Sequence, residues 1–318
     1  MTSRRDFVAG LGALAFPLGP LARALRAAPR AEAFTLSVLT DEISQDLGHA
    51  CEIAAREFGL RYVELRSAHD KNIMSWDAND IVEVRRILAR FNLRVSELAS
   101  PIFKVDWPGA PRSPESPSGP QFAAEFTYAQ QDELLERAIG LARTFATPYV
   151  RIFDFWRLVD QTPYREAIDD RLRRAASAVG KQGVTLNVEN EAACNTATGA
   201  EAGRLLAAVR EPFLKLNWDP GNARARGETP YPDGYTRLPP DRIAHVHCKD
   251  AVVKSDGTTA WAAMGSGVID WAGQLRALKR DGYRGVLSLE THWRGAGTAE
   301  ESTRRSMAGM KALLGTVE

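Results

Sequence analysis

From residue 34 onward the chain alternates between two apolar patterns. Short runs dense in Val, Ile, Leu and Phe occur at 34–39, 61–65, 93–98, 149–153, 184–189, 213–219, 243–250 and 285–290, and their length and β-branched content predict strands. Between them lie longer segments in which apolar residues return every three or four positions, the spacing that gathers them on one helix face. Helices are thus expected at 47–58, 78–91, about 123–145, about 164–182, 198–209, 270–281 and 300–314, with Ser44 capping the first and Gly59 and Asn92 closing the first two. The unit after the sixth run has no clear helical segment. Alternating strands and helices imply a parallel sheet, and eight such units imply closure. The expected fold is therefore α/β, a single (β/α)8 barrel over residues 34–318.

The run at 243–250 breaks the apolar rule. Side chains alternate along a strand, so His245, His247 and Lys249 share one face while Ala244, Val246 and Cys248 share the other. A polar face on a strand that should line a core must look into something that takes imidazole, most simply a metal ion. Three other runs end in a carboxylate, at Glu189, Asp219 and Glu290. With His247 they stand at the same end of four successive strands, where a barrel of this kind assembles its active site. A second reading of the same residues is structural, with Glu189 and Glu290 paired to Lys249 or Arg151 inside the barrel.

Further candidates fall at or just past strand ends. Lys104, Arg151 and Lys249 are placed to hold substrate oxygens, and His292 could serve as an additional acid or base. His245 could touch substrate, support the ligands from behind by a hydrogen bond, or be a core histidine. For Glu64, Glu97 and Asp154, surface or helix-capping roles stand beside substrate binding. Trp107, Trp156, Trp218 and Trp293 could pack a ring face against a bound ligand or simply fill loops.

Composition narrows the function classes. Apolar and charged fractions of 44% and 25% are those of a soluble globular protein. A net charge of +1, with no basic tract beyond the first thirty residues, gives no footprint for nucleic acid. Cys51, Cys194 and Cys248 lack CxxC spacing and are expected to be reduced, without a disulfide framework. Two connections, 101–121 with its six prolines and 220–240, are too long to be simple turns. Both follow strands, so both are expected to cover the substrate, with disorder of the first as the alternative.

Residues 1–33 stand apart. Arg4-Arg5 precedes an apolar stretch at 8–25 interrupted by glycine and proline, and Ala31-Glu32-Ala33 offers a small-x-small cleavage site. This arrangement resembles a twin-arginine signal peptide, which implies export to the periplasm without stable membrane association after cleavage; an uncleaved anchor is the alternative. Removing the segment takes away five arginines and two acids and shifts the formal charge from +1 to −2.

The order Glu189, Asp219, His247, Glu290 resembles the xylose-isomerase-like barrel superfamily of sugar isomerases and epimerases. Supporting text includes Thr40-Asp-Glu-Ile43, Tyr62-Val-Glu-Leu65, Glu189-Asn190, Trp218-Asp-Pro-Gly-Asn222, His245-Val-His-Cys-Lys-Asp250 and Gly265-Ser-Gly-Val-Ile-Asp-Trp271. The resemblance implies one divalent ion held by those four residues. Three carboxylates and an imidazole suit Mn²⁺ best, with Mg²⁺, Co²⁺ or Zn²⁺ as alternatives. It further implies proton transfer next to a carbonyl through an enediolate, with Glu189 and Glu290 moving the proton. The substrate would be a carbohydrate, unphosphorylated if the protein is exported, and an oligomer is compatible with this reading. Many relatives carry His where this chain has Glu191 and Asn222, positions that usually touch substrate, so the ligand class is open. A lyase acting on a 3-keto-glycoside, an endonuclease-type hydrolase and a non-catalytic sugar-binding protein are the alternatives.

Overall fold

The computed structural model describes residues 34–117 and 125–317. The expected signal peptide, with its Arg4-Arg5 pair, and the expected helix start near 123 lie outside the described residues. Eight parallel strands, β1 (Thr35–Val38), β2 (Tyr62–Leu65), β3 (Arg94–Leu98), β4 (Tyr149–Ile152), β5 (Thr185–Glu189), β6 (Leu214–Trp218), β7 (Ile243–Cys248) and β8 (Val286–Leu289), form one sheet. Their order is β1-β8-β7-β6-β5-β4-β3-β2, and a parallel bridge between Leu39 and Glu64 joins the two end strands. The sheet thereby curls into the expected α/β barrel.

Helices α1 (Leu47–Glu52), α2 (Ala78–Arg90), α3 (Gln131–Thr144), α4 (Arg165–Gly180), α5 (Gly199–Ala208), α6 (Pro220–Ala225), α7 (Trp271–Arg280) and α8 (Ala299–Gly315) follow the strands in turn. Local sequence explains their ends. Asp77 caps α2 reciprocally with Asp80, and Val84, Ile87 and Leu88 form its buried stripe. Asp270 caps α7 through Gly273 N, and Trp271, Leu275 and Leu278 carry it into the core.

Two expectations are corrected. The cap of α1 is Asp46, whose side chain accepts from His49 N at 3.0 Å, while Ser44 Oγ accepts from Asp46 N; past Glu52 the helix widens into a π-turn. Helix α3 begins at Gln131 because Thr127 and Gln130 already close a capping box around a single preceding turn. The connection 220–240 starts with α6, turns at Gly227 (φ 84°), and folds into short helical turns that bury Pro230, Tyr235 and Leu238. In 101–121, residues 101–105 are likewise buried, with Phe103 N donating to Gln131 Oε1 at 2.7 Å. All three cysteines are unpaired and buried, and burial pushes the Cys51 thiol up to about 12.

Two antiparallel hairpins that the sequence reading did not anticipate are added at the carboxyl ends of strands: Ser67–Ala68 with Lys71–Asn72, and Asp250–Val253 with Thr259–Ala262.

Candidate active site

Glu189 ends β5, His247 is the last residue but one of β7, and Asp219 and Glu290 directly follow β6 and β8. One potential ligand atom from each lies within 4.8 Å of the others, and all four side chains are buried. His247 Nδ1 is 3.2 Å from Glu189 Oε1, 3.1 Å from Glu290 Oε2 and 3.9 Å from Asp219 Oδ2. The four residues singled out from separate strand ends do converge.

Neighbouring sequence fixes each acid. Asp219 caps α6 by accepting from Asn222 N at 2.8 Å through Oδ1, so Oδ2 is the oxygen left to the cluster. Asn190 grips the backbone of Asp219 at both ends, accepting from its N at 2.7 Å and donating to its O at 2.8 Å. Asn222 Nδ2 reaches Glu189 Oε1 at 3.2 Å. Gly221 leaves room for Lys249: a Cβ there would lie 2.1 Å from Lys249 Cγ. The lysine threads through this gap to put Nζ 2.8 Å from Asp219 Oδ2 and 2.5 Å from Glu290 Oε2. Arg151 Nη1 lies 3.1 Å from Glu189 Oε2. Both ion pairs of the structural reading therefore exist alongside the ligand cluster.

The donor set nevertheless fits a divalent cation. Three carboxylates and one imidazole nitrogen converge on one point, an oxygen-rich set, with Asp219 Oδ2 and Glu290 Oε2 held in ion pairs by Lys249 and Glu189 Oε2 by Arg151. Burial raises the Asp219 carboxyl, Lys249 offsets it only in part, and the result is about 7. For Glu189 burial also raises, but His247 and Arg151 outweigh it and bring the group to about 2. Glu290 falls well below the carboxylate range because Lys249, His247 and His292 overcome its burial. Burial opposes a charge on His247, yet Glu64, Glu290 and Glu189 raise it well above the ordinary imidazole value.

Behind this cluster lies a second buried one. Glu64 accepts from His245 Nε2 at 3.1 Å and from His247 Nε2 at 3.0 Å, and Glu97 Oε1 accepts from Asn187 Nδ2 at 2.6 Å. Burial pushes Glu97 up to about 7 against the pull of His245. Glu64 and Glu97 are thus neither surface nor capping residues, and His245 is fully enclosed rather than facing a substrate. Asp154 is also buried and accepts from Thr196 N at 2.9 Å, which makes it a loop anchor.

Next to Glu290, which Arg66 and His292 contact, a cleft of about 480 Å³ is lined by Asp41, Glu42, Arg66, Trp261, His292 and Arg294 among others. Arg66 Nη1 binds Glu290 Oε1 at 2.6 Å while its other nitrogens reach Glu42 at 2.9 Å and Asp41 at 2.8 Å. His292 adopts a left-handed backbone (φ 49°), uncommon for a non-glycine residue, and places Nε2 3.3 Å from Glu290 Oε1. Lys104 pairs with Glu191 at 2.8 Å and stacks over Phe153. Of the aromatic candidates, Trp218 is core, its indole N–H donating to Gln274, and Trp107 packs on Phe155 and Tyr128. The cleft is lined instead by Trp261, which stands edge-on to His292 with Lys249 over its ring.

Sequence reasoning missed Arg66, Glu42 and Trp261. A signal existed for the last: Asp256-Gly257 between alternating residues marks the hairpin that carries it. Asp250 anchors that hairpin by accepting from Gly265 N at 3.0 Å and Gly267 N at 2.9 Å.

A model of the xylose isomerase-like TIM barrel matches residues 53–313. The chain belongs to this family. No curated protein sequence matches it. Solved structures of the same fold include an IolI protein with a bound zinc atom (16% identity, TM-score 0.67, covering 89% of this chain and 99% of that one). Another is the probable 3-DHS dehydratase AsbF from Bacillus anthracis (19%, 0.64, 88% and 98%). A third is a D-allulose 3-epimerase from Methylomonas sp. in complex with D-allulose (17%, 0.61, 88% and 96%).

Proposed function

We propose that the protein is a metal-dependent isomerase or epimerase of an unphosphorylated sugar or sugar derivative. The observation that carries this reading is the buried convergence of Glu189, Asp219, His247 and Glu290 beside an open, polar cleft. These four residues would hold one divalent ion, Mn²⁺ by preference, which when bound polarises the substrate carbonyl and favours loss of the neighbouring proton. Arg151 beside Glu189 and Lys249 beside Glu290 favour the ionised carboxylates, so each can accept a proton from that carbon and one can return it. They reach the site from β5 and β8, on different sides of it, which suits abstraction on one face and return on the other. Lys249, Arg151 and Asn222 hold the acids and, with the Lys104–Glu191 pair, would orient substrate oxygens. Arg66 and Arg294 in the cleft are already engaged with Glu42, and Arg66 also with Asp41 and Glu290, which suits a neutral ligand better than a phosphate.

The dehydratase among the similar structures supports one alternative, β-elimination from a 3-keto-glycoside by the same proton abstraction. The hydrolase reading loses ground because His49, one of only five histidines, is spent on a surface pair with Glu300 at 2.8 Å. Equilibrium titration with Mn²⁺ tests the site. The parent protein is expected to bind one ion per chain, and Asp219→Ala and His247→Ala to lose it; one tightly bound ion retained in both variants would exclude these ligands. Metal removal that left sugar affinity unchanged would favour the non-catalytic reading.

A further inference from the structure

Strand β2 supplies no ligand to the proposed metal, yet one of its residues touches the ligand histidine from behind. His247 has two ring nitrogens, and the structure gives them different surroundings. Nδ1 faces Glu189 and Glu290, whereas Nε2 lies 3.0 and 3.1 Å from the two carboxylate oxygens of Glu64. Glu64 is fully buried and spends its acceptors on His247 and on His245 Nε2 at 3.1 Å. A carboxylate so placed accepts the Nε2–H, fixes the tautomer that leaves the Nδ1 lone pair for a cation, and locks the ring plane.

The backbone explains how Glu64 comes to face inward at this depth. Between β2 and β3 the register runs Tyr62 with Arg94 and Val63 with Val95, then Leu65 with Leu98, so Ser96 and Glu97 together stand opposite Glu64. A bulge of this kind re-aims side chains and is often found beside active sites. On its other side Glu64 forms the bridge to Leu39 that links β1 to β2. Strand pairing on both sides therefore fixes its position.

We propose that Glu64 is the positioning residue of the metal site, orienting His247 so that Nδ1 is the ligand atom. This rests on the metal reading of the four-residue cluster. Glu97 provides the internal comparison, since it is equally buried in the same polar layer but bonds Asn187 and Asn217 and comes no closer than 3.8 Å to His245.

The test uses the full chain and measures Mn²⁺ affinity by calorimetry and the visible spectrum of the Co²⁺-loaded protein, for the parent, Glu64→Gln, Glu64→Asp and Glu97→Gln. Loss of a partner behind a metal ligand typically costs about 10- to 100-fold in affinity. Both Glu64 variants are expected to lose that much and to shift the Co²⁺ bands, while Glu97→Gln stays within about threefold of the parent with its bands unmoved. If Glu64→Gln does not fold by circular dichroism, Glu64→Asp, too short to reach His247, decides. Parent-like affinity and bands in a folded Glu64 variant would overturn the proposal, as would an equal loss in Glu97→Gln, which would mark a general packing effect. A parent that binds no Mn²⁺ or Co²⁺ would instead remove the metal reading itself.

Discussion

Single side chains here carry charge where the barrel would ordinarily be apolar, and Asp154 gives the cleanest consequence because it lies outside the ligand cluster. Burial lifts its carboxyl from 3.8 to about 6, with the hydrogen bonds from Thr196 opposing the rise only in part. A raised acid is protonated in the folded chain while the unfolded chain has already ionised. Between about pH 4 and 6 the folded state thus binds more protons, and stability falls as pH rises through that window. Asp154→Asn keeps the acceptor for Thr196 N and removes the cost. Urea unfolding is expected to find the variant near the parent at pH 4 and more stable at pH 7 by roughly 1–3 kcal/mol. A gap of the same size at both pH values would show that Asp154 ionises normally. The four candidate ligands were readable because Glu189, Asp219 and Glu290 each end a strand-like run and His247 puts an imidazole where a core strand should be apolar. Arg66 was not, because it follows β2 by one position with nothing in the local pattern to show that its guanidinium reaches across to β8 and Glu290.

At the scale of elements, the turn after β6 does the most positional work. Its Asp219-Pro-Gly-Asn222 text caps a helix of one and a half turns, gives Asp219 one oxygen for the cap and one for the cluster, and leaves a gap for Lys249. Gly221→Ala would set a methyl 2.1 Å from Lys249 Cγ and 3.1 Å from Asp219 Oδ1. Overpacking of this kind costs roughly 1–3 kcal/mol, and it should also lower turnover because Lys249 must leave its place between the acids. Gly140, inside α3 with open space at its Cβ, is the control: Gly140→Ala should gain about 0.5–1 kcal/mol and leave turnover alone. Thermal unfolding and steady-state rates on the two variants would separate these effects, and equal responses would contradict the role given to Gly221. The eight strands were legible from their short apolar runs, and most helices from apolar residues returning every three or four positions. The short α6 was not, because a six-residue helix shows no periodicity to read. The hairpin at 250–262 was marked only by Asp256-Gly257, since its first strand continues the polar text of β7 without a break.

For the whole molecule, the ring of strands sets the geometry of the chemistry. The Arg4-Arg5 pair and the apolar stretch behind it support a twin-arginine export route to the periplasm, and changing both arginines to lysine is then expected to leave uncleaved precursor in the cytoplasm. Normal processing of that variant would mean a different route. The barrel brings β5, β6, β7 and β8 side by side, so residues about a hundred positions apart in sequence converge on one buried point, with Glu64 from β2 closing in from behind. Turnover of a ketose in D₂O with Mn²⁺-loaded protein tests the resulting reaction most directly. The parent is expected to wash deuterium into the carbon next to the carbonyl, and Glu189→Gln and Glu290→Gln to lose at least ~10²-fold in that rate, the typical contribution of a positioned base. Wash-in at the parent rate in both variants would contradict proton transfer by these two glutamates.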